Sequence, residues 1–197
     1  MVGVSILEYQ LNNMEQTSRN NSILTGKAVE RYFDLNKALF EFNNLFPYEG
    51  KDERSIVILG GTFLEMILEH ILLAFLPEDE KEVSKLMEFN QPLGNFSNKI
   101  SMAYCLGLLE KVVKDDLSLI RKIRNKFAHD LYVTFDDEQV KSWCEALKWH
   151  KISLTPYPPD DATTRDLFQV GVHTLISHLH GFIGIARSEK RSILNTF

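Results

Sequence analysis

Between residues 56 and 76 the chain places Ile56, Leu59, Phe63, Ile67, Ile71 and Phe75 at intervals of three and four, and Pro77 closes the run. That spacing gathers the apolar side chains on one face of a helix of more than about five turns. Length alone would let such a segment cross a bilayer. Glu65, Glu69 and His70 interrupt it, and charges are costly at a bilayer centre, so the run reads as the core helix of a soluble bundle. Gly60 and Gly61 weaken the helix locally but permit a neighbouring helix to approach closely.

Further helices follow from the same periodicity. Val29, Phe33, Leu39, Phe40 and Phe42 outline a helix over residues 27–46, closed by Pro47 and Gly50. A short helix is expected near 79–89, with acids in its first turn where the helix dipole favours them. Residues 90–94 are a loop, 95–108 a further helix ended near Gly107, and 110–128 another, with Val113, Leu117, Ile120, Ile123 and Phe127 as its apolar stripe. The β-prone run LYVTF (131–135) is too short for a sheet and reads as an extended connector or half of a small hairpin. Asp136 is the expected cap of a helix reaching Trp149, PYPPDD (156–161) breaks the chain, and a last helix runs from about 164 to 187. Residues 1–26, polar after a brief apolar start, read as an N-terminal arm, leaving 27–197 as one all-α helical domain with at most a minor β-hairpin.

Composition narrows function mainly by exclusion. In 197 residues, 44% hydrophobic and 25% charged fractions lie near globular averages and argue against a disordered or collagenous chain. With 22 Lys and Arg against 27 Asp and Glu, the net charge of -5 repels polyanions, so a nucleic acid would have to meet a local patch. No helix-turn-helix, zinc finger or basic arm is visible, and sequence-specific DNA binding by the protein alone is not expected. Cys105 and Cys144 lack a C-x-x-C spacing, which indicates neither a disulfide framework nor a zinc site and fits a reducing, cytoplasmic setting. No signal peptide is recognisable, since Glu8 falls early and no basic start precedes an apolar run. His173, His178 and His180 lack metal-ligand spacing, and neither a metal nor a cofactor is expected.

The local patch lies in LIRKIRNKFAHD. Arg121, Lys122, Arg124 and Lys126 fall within residues 121–129, a stretch without an acid. Arg121, Asn125 and His129 are each four apart and share a helix face, with Arg124 at the edge of the buried stripe. His129 sits at the helix end, where the dipole favours its protonated form. On a phosphodiester, His129 can act as general acid or base, Arg124 can neutralise a phosphorane and Asn125 can orient the imidazole; Arg121, Arg124 and Lys126 are the candidate anion-binding groups. The other reading has His129 and Asn125 capping carbonyls and the cations solvated, and the residues leave both open. Glu65 and Glu69, like charges at i, i+4, are expected to pair across to Arg121 or Arg124.

Two resemblances attach to these residues. Arg124-Asn125-Lys126-Phe127-Ala128-His129 is similar to the Arg-polar-spacer-His signature of the HEPN superfamily, whose helical bundles are often metal-independent endoribonucleases; the tyrosine some HEPN toxins carry two residues before the His is Phe127 here. Over about residues 60–130, GTFLEMILEHILLAFL, FNQPLGNFSNKISMAYCLGLL and LSLIRKIRNKFAHD together resemble the mannitol operon repressor family of bacterial all-helical regulators, itself HEPN-like. The first resemblance implies RNA as a candidate ligand and a homodimer joining two Arg124/His129 patches. The second implies transcriptional repression exerted through a protein partner.

Overall fold

A computed structural model describes residues 37–39, 41, 42, 46, 52–152, 160–190 and 192–194. The chain separates into two units, 1–41 and 42–197. In the first, the described residues 37–39 and 41 are helical, and Lys37 Nζ lies 3.9 Å from Glu41 Oε1 one turn on. The arm expected over 1–26, the boundary at 27 and most of the 27–46 helix fall outside the described residues.

In the second unit the described residues form α1 (Glu53–Phe75), α2 (Glu80–Met87), α3 (Phe96–Cys105), α4 (Lys111–His129), α5 (Glu138–Glu145), a 3-10 turn (Trp149–Lys151) and α6 (Thr164–Ser188), with no strand among them. The all-α expectation holds. The helices α1 and α6 start where a side chain answers orphan amides, whereas α4 starts after Glu110 with no side-chain cap. Asp52 accepts from the Ser55 amide at 2.9 Å to start α1, and Thr163 with Asp166 closes a capping box at the start of α6.

The core helix is α1. Its Ile56, Val57, Leu64, Ile67, Leu68, Ile71 and Leu72 are fully buried, packed mostly against α6 and also against α4 and α3. By length and composition α1 would pass as a membrane span, but its apolar stripe is spent on these helix contacts. The paired glycines serve the packing as expected: Gly60 faces Phe46 and Val172, while Gly61 lies directly under the aliphatic stem of Arg124. Leu175, Leu179 and Ile183 of α6 and Ile120, Ile123 and Phe127 of α4 complete the same core.

Two local expectations are corrected. The cap before α5 is Asp137, whose carboxylate accepts from the amides of Gln139 and Val140; Asp136 lies one residue outside. That helix stops at Glu145, and Trp149 belongs to the 3-10 turn that follows. Of its two alternatives, the β-prone run is the connector and makes no hairpin. Its alternation is nonetheless used: Val133 and Phe135 are buried and Leu131, Tyr132 and Thr134 are exposed, with Glu53 accepting from the Phe135 amide at 2.8 Å in place of a partner strand.

Candidate functional site

The residues singled out by sequence all lie on the last turns of α4, and the structure gives each a different neighbourhood. Arg124 leans on α1, its stem on Gly61 and its Nη2 3.9 Å from Glu65 Oε2. Its Nε is buried and has no hydrogen-bond partner among the described residues. Lys126 reaches Asp137 Oδ2 at 3.3 Å, across the loop that leads into α5. Arg121 and Asn125 are half-buried, and His129, the final residue of α4, is exposed. Among the described residues no side-chain hydrogen bond or ion pair joins any two of Arg121, Arg124, Asn125, Lys126 and His129. Five residues separate Arg124 from His129, about 140° around the helix axis, with Arg121 and Asn125 between them.

Two cations that sequence reasoning passed over organise this end of the bundle. Arg54, in the first turn of α1, donates to the carbonyl oxygens of Phe127 and Asp130, the latter at 2.8 Å. It thereby supplies the C-terminal capping of α4 that the other reading gives to His129 and Asn125, whose side chains make no hydrogen bond or ion pair among the described residues. Lys99, on α3, is 5% exposed, and its ammonium lies 2.8 Å from Glu69 Oε2 and 3.3 Å from Glu65 Oε1. Glu65 and Glu69 were expected to pair with Arg121 or Arg124; Lys99 holds both, and Arg124 is left with a long contact to Glu65 alone. A buried lysine carries no sequence signal, because lysine is normally exposed.

A third buried charge lies further back on α4. Asp116 is fully buried and accepts from the Lys148 amide at 2.9 and 3.0 Å, fixing the 3-10 turn. Burial pushes its carboxyl up to about 6, against the lowering effect of the amides it holds. It was legible in principle. Position 116 falls three residues after Val113 and one before Leu117, inside the apolar stripe, where an acid needs a reason. The α4–α5 face beside it opens into a cleft of about 680 Å³ edged by Lys114, Lys122, Lys148 and Lys151.

The C-terminal histidines hold structural positions. His173 meets the rings of Phe42 and Phe46 edge-on, and His178 Nε2 lies 3.3 Å from Glu110 Oε2. Among the described residues no group of His, Cys, Asp and Glu is arranged to hold a metal ion.

Fold and site together define an all-helical bundle with buried ion pairs between its helices and a cation-rich helix end. No protein-family model matches the chain. It is 29% identical over 159 residues to the mannitol operon repressor of Escherichia coli, in strain K12 and equally in an O6:H1 strain, a match spanning 76% of this chain and 71% of the repressor. In fold it matches a chain of the X-ray structure of the MtlR-HPr complex from Escherichia coli, with a TM-score of 0.55 and 22% identity, over 74% of this chain and 98% of the other. The chain is thus a distant relative of a repressor. The ribonuclease reading of Arg124, Asn125 and His129 draws no support from these relatives.

Proposed function

We propose that this protein is a cytoplasmic regulator of the mannitol-repressor type, acting in transcriptional repression through a protein partner instead of by reading DNA itself. The observation that carries the reading is the similarity to the mannitol operon repressor across 76% of the chain. The fold match to a chain from a complex with HPr supports a protein as the partner. Charge supports the second half of the reading: a net -5 works against the phosphate-binding term that supplies most non-specific DNA affinity. Its cationic helix end offers Arg121, Lys122 and Lys126, enough for one or two phosphates and well short of a recognition surface.

Three measurements test this. Calorimetric titration of the full chain with HPr is expected to show saturable binding. A gel shift at about physiological salt is expected to show no sequence-specific complex with the pure protein, and saturable binding to one operator that survives excess competitor DNA refutes the reading. Incubation with RNA in EDTA is expected to leave the RNA intact; cleavage to a cyclic phosphate, lost in His129→Ala, would replace the regulator by an enzyme.

A further inference from the structure

The loop between α2 and α3 is held by its own backbone hydrogen bonds, and it displays an aromatic side chain that is largely exposed. Leu93 N–H donates to the Leu86 carbonyl at 2.9 Å, Gln91 N–H to Glu88 at 3.0 Å and Gly94 N–H to Gln91 at 2.9 Å. Asn95 accepts from the Asn98 amide at 2.9 Å to cap α3, and the Asn98 side chain donates back to the Pro92 carbonyl at 2.8 Å. Asn90 takes a positive φ of 67°, and Gly94 is irreplaceable, since a Cβ there would stand 2.2 Å from the Glu88 carbonyl oxygen. Leu93, only 2% exposed, anchors the inner side. On the outer side Phe89 is 86% exposed.

A large aromatic held out by a pre-ordered loop has lost little freedom left to lose on binding, which is the property of an interface anchor. Its surroundings specify the partner. Residues 78–88 carry five carboxylates and two lysines, a net charge of -3. Glu78 is answered by Lys190 at 3.1 Å, whereas Glu82 and Glu88 are exposed and make no ion pair among the described residues. A second copy docked isologously would set this acidic segment against itself. A nucleic acid or an anionic lipid surface would be repelled by it.

We infer that Phe89 is the anchor of a docking surface for a folded protein partner that presents an apolar pocket edged by lysine or arginine side chains. This rests on the reading that the protein acts through a protein partner, and it assigns the surface. Electrostatic complementarity from Glu82 and Glu88 would steer the encounter, and burial of Phe89 would hold the complex.

Calorimetry with HPr as the probe tests it on the full chain. The wild type is compared with Phe89→Ser, with Glu82→Lys/Glu88→Lys, and with Leu131→Ser/Tyr132→Ser, which alters another exposed apolar pair (79% and 92% exposed) after α4. Phe89→Ser is expected to weaken binding about tenfold or more. The charge reversal is expected to weaken it and to flatten its salt dependence. The Leu131/Tyr132 variant is expected to bind as wild type. Circular dichroism and melting temperature are expected to be unchanged in all three, since the altered side chains are exposed. Wild-type binding that persists in Phe89→Ser, or that is lost in the Leu131/Tyr132 variant instead, overturns the assignment and leaves the partner reading intact. No binding by the wild type removes the partner reading and this surface with it. Loss of a dimer on Phe89→Ser, read by light scattering, would make the face a self-interface and overturn the inference as well.

Discussion

Lys99→Met tests whether the buried charge cluster between α1, α3 and α4 is held by its lysine. In the wild type one ammonium answers two carboxylates, Glu69 at 2.8 Å and Glu65 at 3.3 Å, and its side chain is only 6% exposed. Methionine keeps the length and apolar stem of the side chain and removes the charge. Glu65 and Glu69 would then face each other at i, i+4, where like charges repel. Removing one partner of a fully buried ion pair costs about 3–5 kcal/mol. Two features lower that figure here: Glu69 is about a third exposed and can be hydrated, and Arg124 already stands 3.9 Å from Glu65 and can close on it. A loss of about 2–3 kcal/mol is therefore expected, which lowers the melting temperature by about 5–10 °C in a protein of this size. Lys99→Met/Glu65→Gln/Glu69→Gln removes the orphaned charges and is expected to recover at least half of the loss. Thermal melting by circular dichroism at neutral pH reads both. A Lys99→Met protein that melts within about 2 °C of the wild type refutes the reasoning, as does a triple variant no more stable than the single one.

Two other perturbations follow from buried contacts. In Gly171→Ala the new Cβ would stand 2.8 Å from Trp149 Cδ1 and 3.1 Å from its Nε1, against a ring that is itself buried. Overpacking of about 1–3 kcal/mol should outweigh a helix-propensity gain of about 1 kcal/mol, whereas Gly181→Ala, on the same helix with open space around it, should gain stability; equal melting temperatures would count against this. Asp116 should give an unusual pH dependence. Its folded pKa of about 6 lies above the ordinary 3.8, so between those values the folded state holds a proton that the unfolded state lacks. This residue's contribution to stability therefore grows as pH falls from about 6 towards 4, by about 3 kcal/mol at most. The melting temperature of the wild type relative to Asp116→Asn is expected to rise from pH 7 to pH 5, and a constant difference refutes the assignment.

What the sequence made legible follows from the range of the interactions concerned. Helical period is local, so the stripes of α1, α4 and α6 could be read directly, and the proline and glycine breaks placed most ends within a few residues. The run 131–135 shows where local reading stops. Its alternation of buried Val133 and Phe135 with exposed neighbours has the period of a strand, but the group that satisfies its backbone is Glu53, 82 residues earlier in the chain. Pairing of that range carries no periodicity. The same holds for Arg54, 73 residues from the Phe127 carbonyl it caps, and for Lys99, 34 residues from Glu65.

These long-range contacts bear directly on the cationic end of α4. From sequence alone, Arg124 and His129 were either a catalytic pair or a capped and solvated helix end. Of the second reading, the capping falls to Arg54 instead, and the exposed His129 fits a solvated helix end. Arg54 has taken the carbonyls that a capping His129 would have used, and Lys99 has taken the carboxylates that would have held Arg124 firmly. His129 is exposed, and Arg124 keeps a buried Nε with no hydrogen-bond partner among the described residues. An unsatisfied guanidinium N–H costs free energy, and the cost falls when an acceptor reaches it. An anion at this end of α4 would have to meet the exposed part of the Arg124 side chain, since its Nε is buried. Glu65 caps the strength of that attraction: at 3.9 Å it already offsets part of the charge on Arg124, so a Glu65→Gln variant should bind inorganic phosphate more tightly than the wild type. Two-dimensional NMR of the full chain would follow this at the Arg124 side-chain Nε resonance. Equal phosphate affinity in both proteins, with the resonance unmoved, would show that Arg124 is a packing residue on Gly61 and nothing more.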